Sequence, residues 1–214
     1  MKIVEDEKKK RKKKSESKQK FIVNKAQNLF GRFGLAKTSM DDIATACGMG
    51  KSSLYYYFKS KEDVFAAVIR AEVAGFQMIV EKELEGVDSP QEQLHKYVSI
   101  RMSYLKERVN SYTTILDEYL KNYAFIDSIR KDFTKQEIGF IASILQSGVD
   151  KKIFAIENIE SIEKIASGIY YALKGFEEPV FLNHKKFAPE EIIDTLLSVL
   201  FTGILNRGEE NESN

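Results

Sequence analysis

A chain of 214 residues that is 43% apolar can build a substantial core in one or two domains. Its single cysteine, Cys47, excludes an internal disulfide and with it a disulfide-stapled extracellular scaffold, which points to a reducing, cytoplasmic setting. The 33 Lys and Arg nearly balance the 32 Asp and Glu, but residues 1–70 hold 17 basic and 8 acidic side chains and the remainder 16 and 24, a footprint that suits nucleic acid or an anionic membrane surface.

Residues 1–17 contain the run Lys8 to Lys14, with seven adjacent cations and acidic residues at Glu5, Asp6 and Glu7. Like charges repel and the segment has little apolar surface to bury, so a disordered basic arm is expected. Such an arm would be a solvated tail or would follow phosphates beside a DNA-binding element, steepening the salt dependence of binding. From about Lys18 the positions Phe21, Ile22, Ala26, Leu29, Phe30 and Phe33 form a helical stripe that Gly34 ends.

The stretch from Thr38 to Lys61 organises the rest. Met40, Ile43, Ala44 and Cys47 recur at helical steps, Gly48 and Gly50 supply a turn and a weak cap, and Leu54 and Phe58 define the inner face of a second short helix. Thr38 or Ser39 caps the first helix, with Asp41 and Asp42 complementing its positive end. Cys47, without a histidine or cation nearby to activate it, reads as a small core residue. Two short helices across a tight turn make a helix-turn-helix. Its second helix turns outward Lys51, Ser52, Ser53 and much of Tyr55, Tyr56 and Tyr57, with no carboxylate between Lys51 and Lys61, a surface suited to phosphates and base edges.

The run IATACGMGKSSLYYYFKSKEDV resembles the DNA-binding segment of the TetR family of transcriptional regulators. Ile43, Ala44, Gly48, Leu54, Tyr55, Phe58, Ser60 and Lys61 match that family's pattern, whereas Met49, Gly50 and Val64 depart from its usual Val, Ser and Leu. The resemblance implies that Thr38 and Ser39 approach a phosphate and that Lys51, Ser52 and Ser53 enter a major groove. It further assigns Tyr55, Tyr56 and Tyr57 to phosphates or base edges, and Lys61 to a phosphate clamp.

Beyond the motif, Ser60 to Asp63 resembles a capping box and opens a long helix through Val64, Val68, Phe76 and Val80 to about Gly86. Ser89-Pro90 starts the next helix, and helices are expected over about 90–108, 111–123 and 126–147. The family resemblance implies a small-molecule pocket among them, with Tyr97, Tyr104, Tyr119, Phe133 and Ile141 as candidate lining. After a loop at Gly148 to Phe154 come two strongly apolar helices, one through Ile162, Ile169 and Leu173, the other, after a loop at Pro179 to Phe187, through Leu196, Leu200 and Ile204. In the resembling family such a pair meets its twin as a four-helix dimer interface, although periodicity alone fits an internal core equally well.

The expected architecture is therefore all-α. It comprises the arm at 1–17, a three-helix DNA-binding domain over 18–62, a ligand-binding and dimerisation domain over 63–208 and a flexible tail at 209–214. His95 and His184 are far apart and in no metal-ligand spacing, and no nucleophile elbow, phosphate loop or dinucleotide fingerprint is present, so neither catalysis, a metal nor a cofactor is expected. No stretch approaches the roughly eighteen consecutive apolar residues of a membrane span. The expected activity is that of a repressor, with double-stranded DNA, a second copy of the chain and a small effector as partners. The competing class is a helical protein that holds an anionic membrane surface through its polybasic segment.

Overall fold

A computed structural model describes residues 2–111, 122–176 and 189–205, which are helical apart from their connections and one isolated antiparallel bridge between Phe154 and Leu205. In chain order the described helices are α1 (Lys2–Lys37), α2 (Met40–Ala46), α3 (Lys51–Tyr57), α4 (Lys61–Glu83), α5 (Pro90–Ser111), α6 (Tyr123–Asp150), α7 (Ile159–Gly175) and α8 (Pro189–Ile204). The expected all-α class is the observed one. The helix anticipated over 111–123, with Tyr119, and the loop from Pro179 to Phe187 fall mainly or wholly outside the described residues, as does the tail at 209–214.

Two compact units emerge, Met1–Ala74 with Ser111–Arg130 and Gly75–Asn110 with Lys131–Asn214. The first takes its core from Ile22, Ala26 and Phe30 of α1, Met40, Ile43 and Ala44 of α2, Leu54 of α3, and Val64, Phe65 and Val68 of α4. Phe65 meets Phe30 edge-on at 5.2 Å between centroids and stacks on Phe125 at 6.2 Å, while Ile126 joins the same cluster. Each fully buried Ile, Leu, Val, Met or Phe among them contributes about 1.5–3 kcal/mol. This core reaches further along α4 than a boundary at residue 62 allows, because Val64, Phe65 and Val68 point into it.

Residues 2–17, expected as a disordered arm, continue α1 as helix. Lysine, arginine, glutamate and glutamine all have good helix propensity and no Gly or Pro interrupts them before Gly31, which here outweighs the mutual repulsion of the cations. Gly34 then breaks the regular run with φ 80° and ψ 166°, a conformation open to glycine and strained for other residues.

The second unit packs α5, α6, α7 and α8, with the end of α4, around Leu94, Tyr97, Met102, Ile141, Leu145, Ile162, Tyr170 and Leu197. Three of the six residues expected at a subunit interface, Ile162, Leu173 and Ile204, are buried in this core instead. They lie on the inward stripes of their helices, within the core cluster of the same chain. Ile169 and Leu200 are half-buried and Leu196 is exposed. The outward stripe of α8 is Ile192, Leu196 and Val199, and Tyr171 is exposed on α7.

Within this apolar core sits a polar network that the sequence reading did not anticipate. The Tyr97 hydroxyl donates to Glu137 Oε1 at 2.7 Å, and Arg101 Nη1 donates to the same oxygen in an ion pair whose side chains are only 7% and 15% exposed. The Arg101 guanidinium also lies 5.3 Å over the Tyr170 ring, whose hydroxyl shares a 2.9 Å hydrogen bond with Thr134 Oγ1. Burial drives the Tyr97 phenol well above the usual tyrosine range, so it stays protonated and remains a donor.

Candidate nucleic-acid interface

The turn between α2 and α3 follows from its glycines and its caps. Gly48 takes φ 61°, where the chain must reverse after the Cys47 cap, and Gly50 stands in extended conformation as the side-chain-free cap of α3. Leu54 is fully buried and Phe58 is buried just beyond the helix, so a seven-residue helix too short to persist alone is pinned by its inner face. Cys47 is buried, and its thiol is pushed up by desolvation, consistent with an inert core residue.

Thr38 and Ser39 separate sharply. The Thr38 side chain is buried at 3% exposure and its hydroxyl donates to the Gly34 carbonyl at 2.7 Å, closing the bend at the end of α1. Ser39 caps α2. Its hydroxyl accepts from the Asp42 amide at 3.2 Å and donates to Asp42 Oδ2 at 2.6 Å, while the Ser39 amide donates to that oxygen at 2.9 Å. This is a capping box with aspartate in the reciprocal position. The Ser39 hydroxyl and then its backbone amide hold the Asp42 carboxyl below the usual carboxylate range.

Along the outer face of α3, Lys51, Ser52 and Ser53 are exposed, as are Tyr55 at 38% and Tyr56 at 74%, while Tyr57 is half-buried. Tyr56 and Tyr57 meet edge-to-face at 5.0 Å, and with Ser52 and Ser53 they line an open cleft of about 330 Å³. Six of the nine expected DNA-binding side chains thus stand together on one short helix. Lys51 Nζ donates to Asp41 Oδ2 at 2.9 Å across the turn, and this hydrogen bond raises its pKa, so the lysine stays charged. Asp41 was not foreseen as its partner, although opposite charges at the start of consecutive short helices were a usable signal.

Lys61 is placed differently from a phosphate clamp. Its ammonium donates to the carbonyls of Leu35 at 2.9 Å, Thr38 at 3.3 Å and Ala36 at 3.4 Å, which occupies all three of its N–H groups. It ties the start of α4 to the end of α1 by satisfying carbonyls that a helix end leaves open.

The family description "bacterial regulatory proteins, tetR family" matches residues 22–68, which span α2, α3 and the adjoining parts of α1 and α4. Residues 22–68 are therefore a TetR-family DNA-binding domain. With that domain the chain is a DNA-binding transcriptional regulator of the helix-turn-helix type. It is 24% identical over 169 residues to the HTH-type transcriptional regulator QacR of Staphylococcus aureus, covering 77% of this chain and 88% of QacR. To the HTH-type transcriptional regulator RutR of Escherichia coli it is 41% identical over 54 residues, 25% of this chain and 26% of RutR. Among solved structures it superposes on a transcriptional regulator from Cytophaga hutchinsonii with a TM-score of 0.69 and 28% identity, covering 87% of this chain and 97% of the other.

Of the expected pocket residues, Tyr97 and Ile141 are buried in the second unit's core, and Tyr104 and Phe133 are half-buried. Tyr104 faces Phe76 at 5.2 Å and Tyr97 faces Phe140 at 5.6 Å, while the aromatic residues Tyr97 and Tyr170 contact the Arg101–Glu137 pair. Sequence inspection missed Arg101 and Glu137. The available signal was their register, since Arg101 falls on the stripe of Leu94, Tyr97 and Val98, and Glu137 on that of Phe133 and Ile141.

Proposed function

We propose that this regulator is a ligand-responsive repressor that binds a palindromic operator as a homodimer and is released by a small molecule. The observation that carries the reading is the outer face of α3, where Lys51, Ser52, Ser53, Tyr55 and Tyr56 are exposed side by side on an anchored helix without a carboxylate of its own. In this reading those residues and Tyr57 meet base edges and phosphates, Ser39 offers the positive end of α2 to a phosphate, and Thr38 and Lys61 hold the scaffold.

The exposed apolar stripe of Ile192, Leu196 and Val199, with Tyr171, supports a second copy of the chain as partner, because such a stripe is costly to leave in water. An effector among α5 and α6 would reach half-buried Tyr104 and Phe133 first. It releases DNA to the extent that it prefers the conformation with the wrong recognition-helix spacing.

Selection of bound sequences from a random duplex pool tests the reading. A two-fold related sequence is expected, its half-sites separated by one DNA turn of about 34–36 Å or a multiple of it. Sedimentation of Leu196→Glu together with Val199→Glu should return a monomer that no longer holds that sequence. A pool that enriches nothing would sink the proposal.

A further inference from the structure

From Glu5 to Lys20 the chain has no apolar side chain, yet these residues form one unbroken helix with the part of α1 that enters the helix-turn-helix core at Ile22. Sixteen residues of helix extend about 24 Å. Such a rod has no apolar side chain with which to gain stability from burial. Within Lys8 to Lys14 there are three like-charged pairs at i,i+4 and four at i,i+3, each of which opposes the helix. Lys10, Lys13 and Lys14 are exposed. By contrast Lys18 and Lys25 lie over the Phe21 ring at 4.9 and 5.8 Å, where the helix joins its own core.

An extended polyanion is the partner that answers this arrangement. A lipid surface fits less well, because a helix that lies in a membrane interface needs an apolar face and residues 5–20 offer none. Duplex DNA supplies closely spaced phosphates and releases counterions as each is neutralised. We propose that residues 2–17 are a second DNA-contacting element, a helical rod that holds the phosphate backbone without regard to sequence. This rests on the chain being a DNA binder and adds a contact that α3 does not make. Phosphate contacts position a protein and carry no base information, so the rod raises affinity on all duplexes alike.

The test compares the full chain with a variant in which Lys8, Lys9, Lys10, Arg11, Lys12, Lys13 and Lys14 are all replaced by glutamine, which keeps helix propensity. Binding to a random-sequence duplex is measured from about 50 to 200 mM salt, and to vesicles of anionic phospholipid in parallel. The slope of log affinity against log salt should flatten by up to about 6 in the variant, so that the parent loses three to four more powers of ten across that range. Circular dichroism should show no loss of helix in the variant, because glutamine keeps helix propensity and the like-charge pairs that oppose the helix are gone. Equal slopes for the two chains would overturn the proposal while leaving α3 as the reader. Vesicle binding that depends on the seven cations, with the duplex slope unchanged, would assign the rod to membranes instead. Failure of both chains to bind any duplex would remove the underlying DNA-binding reading as well.

Discussion

Removing Arg101 from its ion pair strands a carboxylate in the core of the second unit. In the Arg101→Met chain, Glu137 keeps the Tyr97 hydroxyl but loses its countercharge, and the two partners are 93% and 85% shielded from solvent. Breaking a buried pair from one side costs about 3–5 kcal/mol, mostly the penalty of the charge left behind. Loss of the contact with the Tyr170 face adds roughly 0.5–2 kcal/mol. Glu137→Gln in the same chain removes the stranded charge and retains an oxygen for Tyr97, so the double variant should recover to within about 2 kcal/mol of the parent. Urea unfolding followed by far-ultraviolet circular dichroism measures all four corners of the cycle, and the ten tyrosines give a second probe in a chain without tryptophan. An Arg101→Met chain that loses less than about 1 kcal/mol, or a double variant that loses the sum of both single changes, would refute the assignment of a coupled buried pair.

Lys61→Gln should lower stability by about 1.5–3 kcal/mol through its lost carbonyl contacts, yet change the salt slope of duplex binding by well under about one; a slope reduced by one with stability intact would make it a phosphate contact after all. Ser39→Ala should cost about 0.5–2 kcal/mol and is read by thermal melting. Because the Asp42 carboxyl titrates lower in the folded chain, the unfolded chain takes up its proton first as pH falls. The cap's contribution should therefore be complete above about pH 4 and fade below it, and Asp42→Asn should flatten that part of the stability profile; an identical acid limb in both chains would contradict it. Gly148→Ala would drive a Cβ into the Phe154 ring, so a loss of about 1–3 kcal/mol is expected in urea titration, and an unaltered midpoint would show that Phe154 moves aside freely.

What the amino-acid order revealed was the local physics. The glycine turn, the inward Leu54 and Phe58, and the outward Lys51 to Tyr56 all follow from spacing within a few residues, and the helices carry them as expected. Where an outcome depended on distant neighbours, spacing was silent. Thr38 and Ser39 are equivalent as candidate caps until the bend at Gly34 claims the Thr38 hydroxyl. Lys61 finds carbonyls up to 26 positions earlier in the chain, and Arg101 its carboxylate 36 positions later, which no periodicity announces. An apolar stripe on α7 or α8 likewise names a buried face without naming who covers it, which is why Ile162 and Leu173 turned inward while Leu196 stayed out. Residues 2–17 posed a competition between propensity and repulsion that composition alone does not decide.

The short length of α3 carries an evolutionary corollary. Its hold on the protein passes through Leu54 and the adjoining Phe58, leaving the outward positions almost no part in keeping the domain folded. If those positions read the operator as proposed, mutations there would retune which operator is preferred at little thermodynamic penalty, so that descendants of this gene could acquire new regulons one side chain at a time on an unchanged chassis.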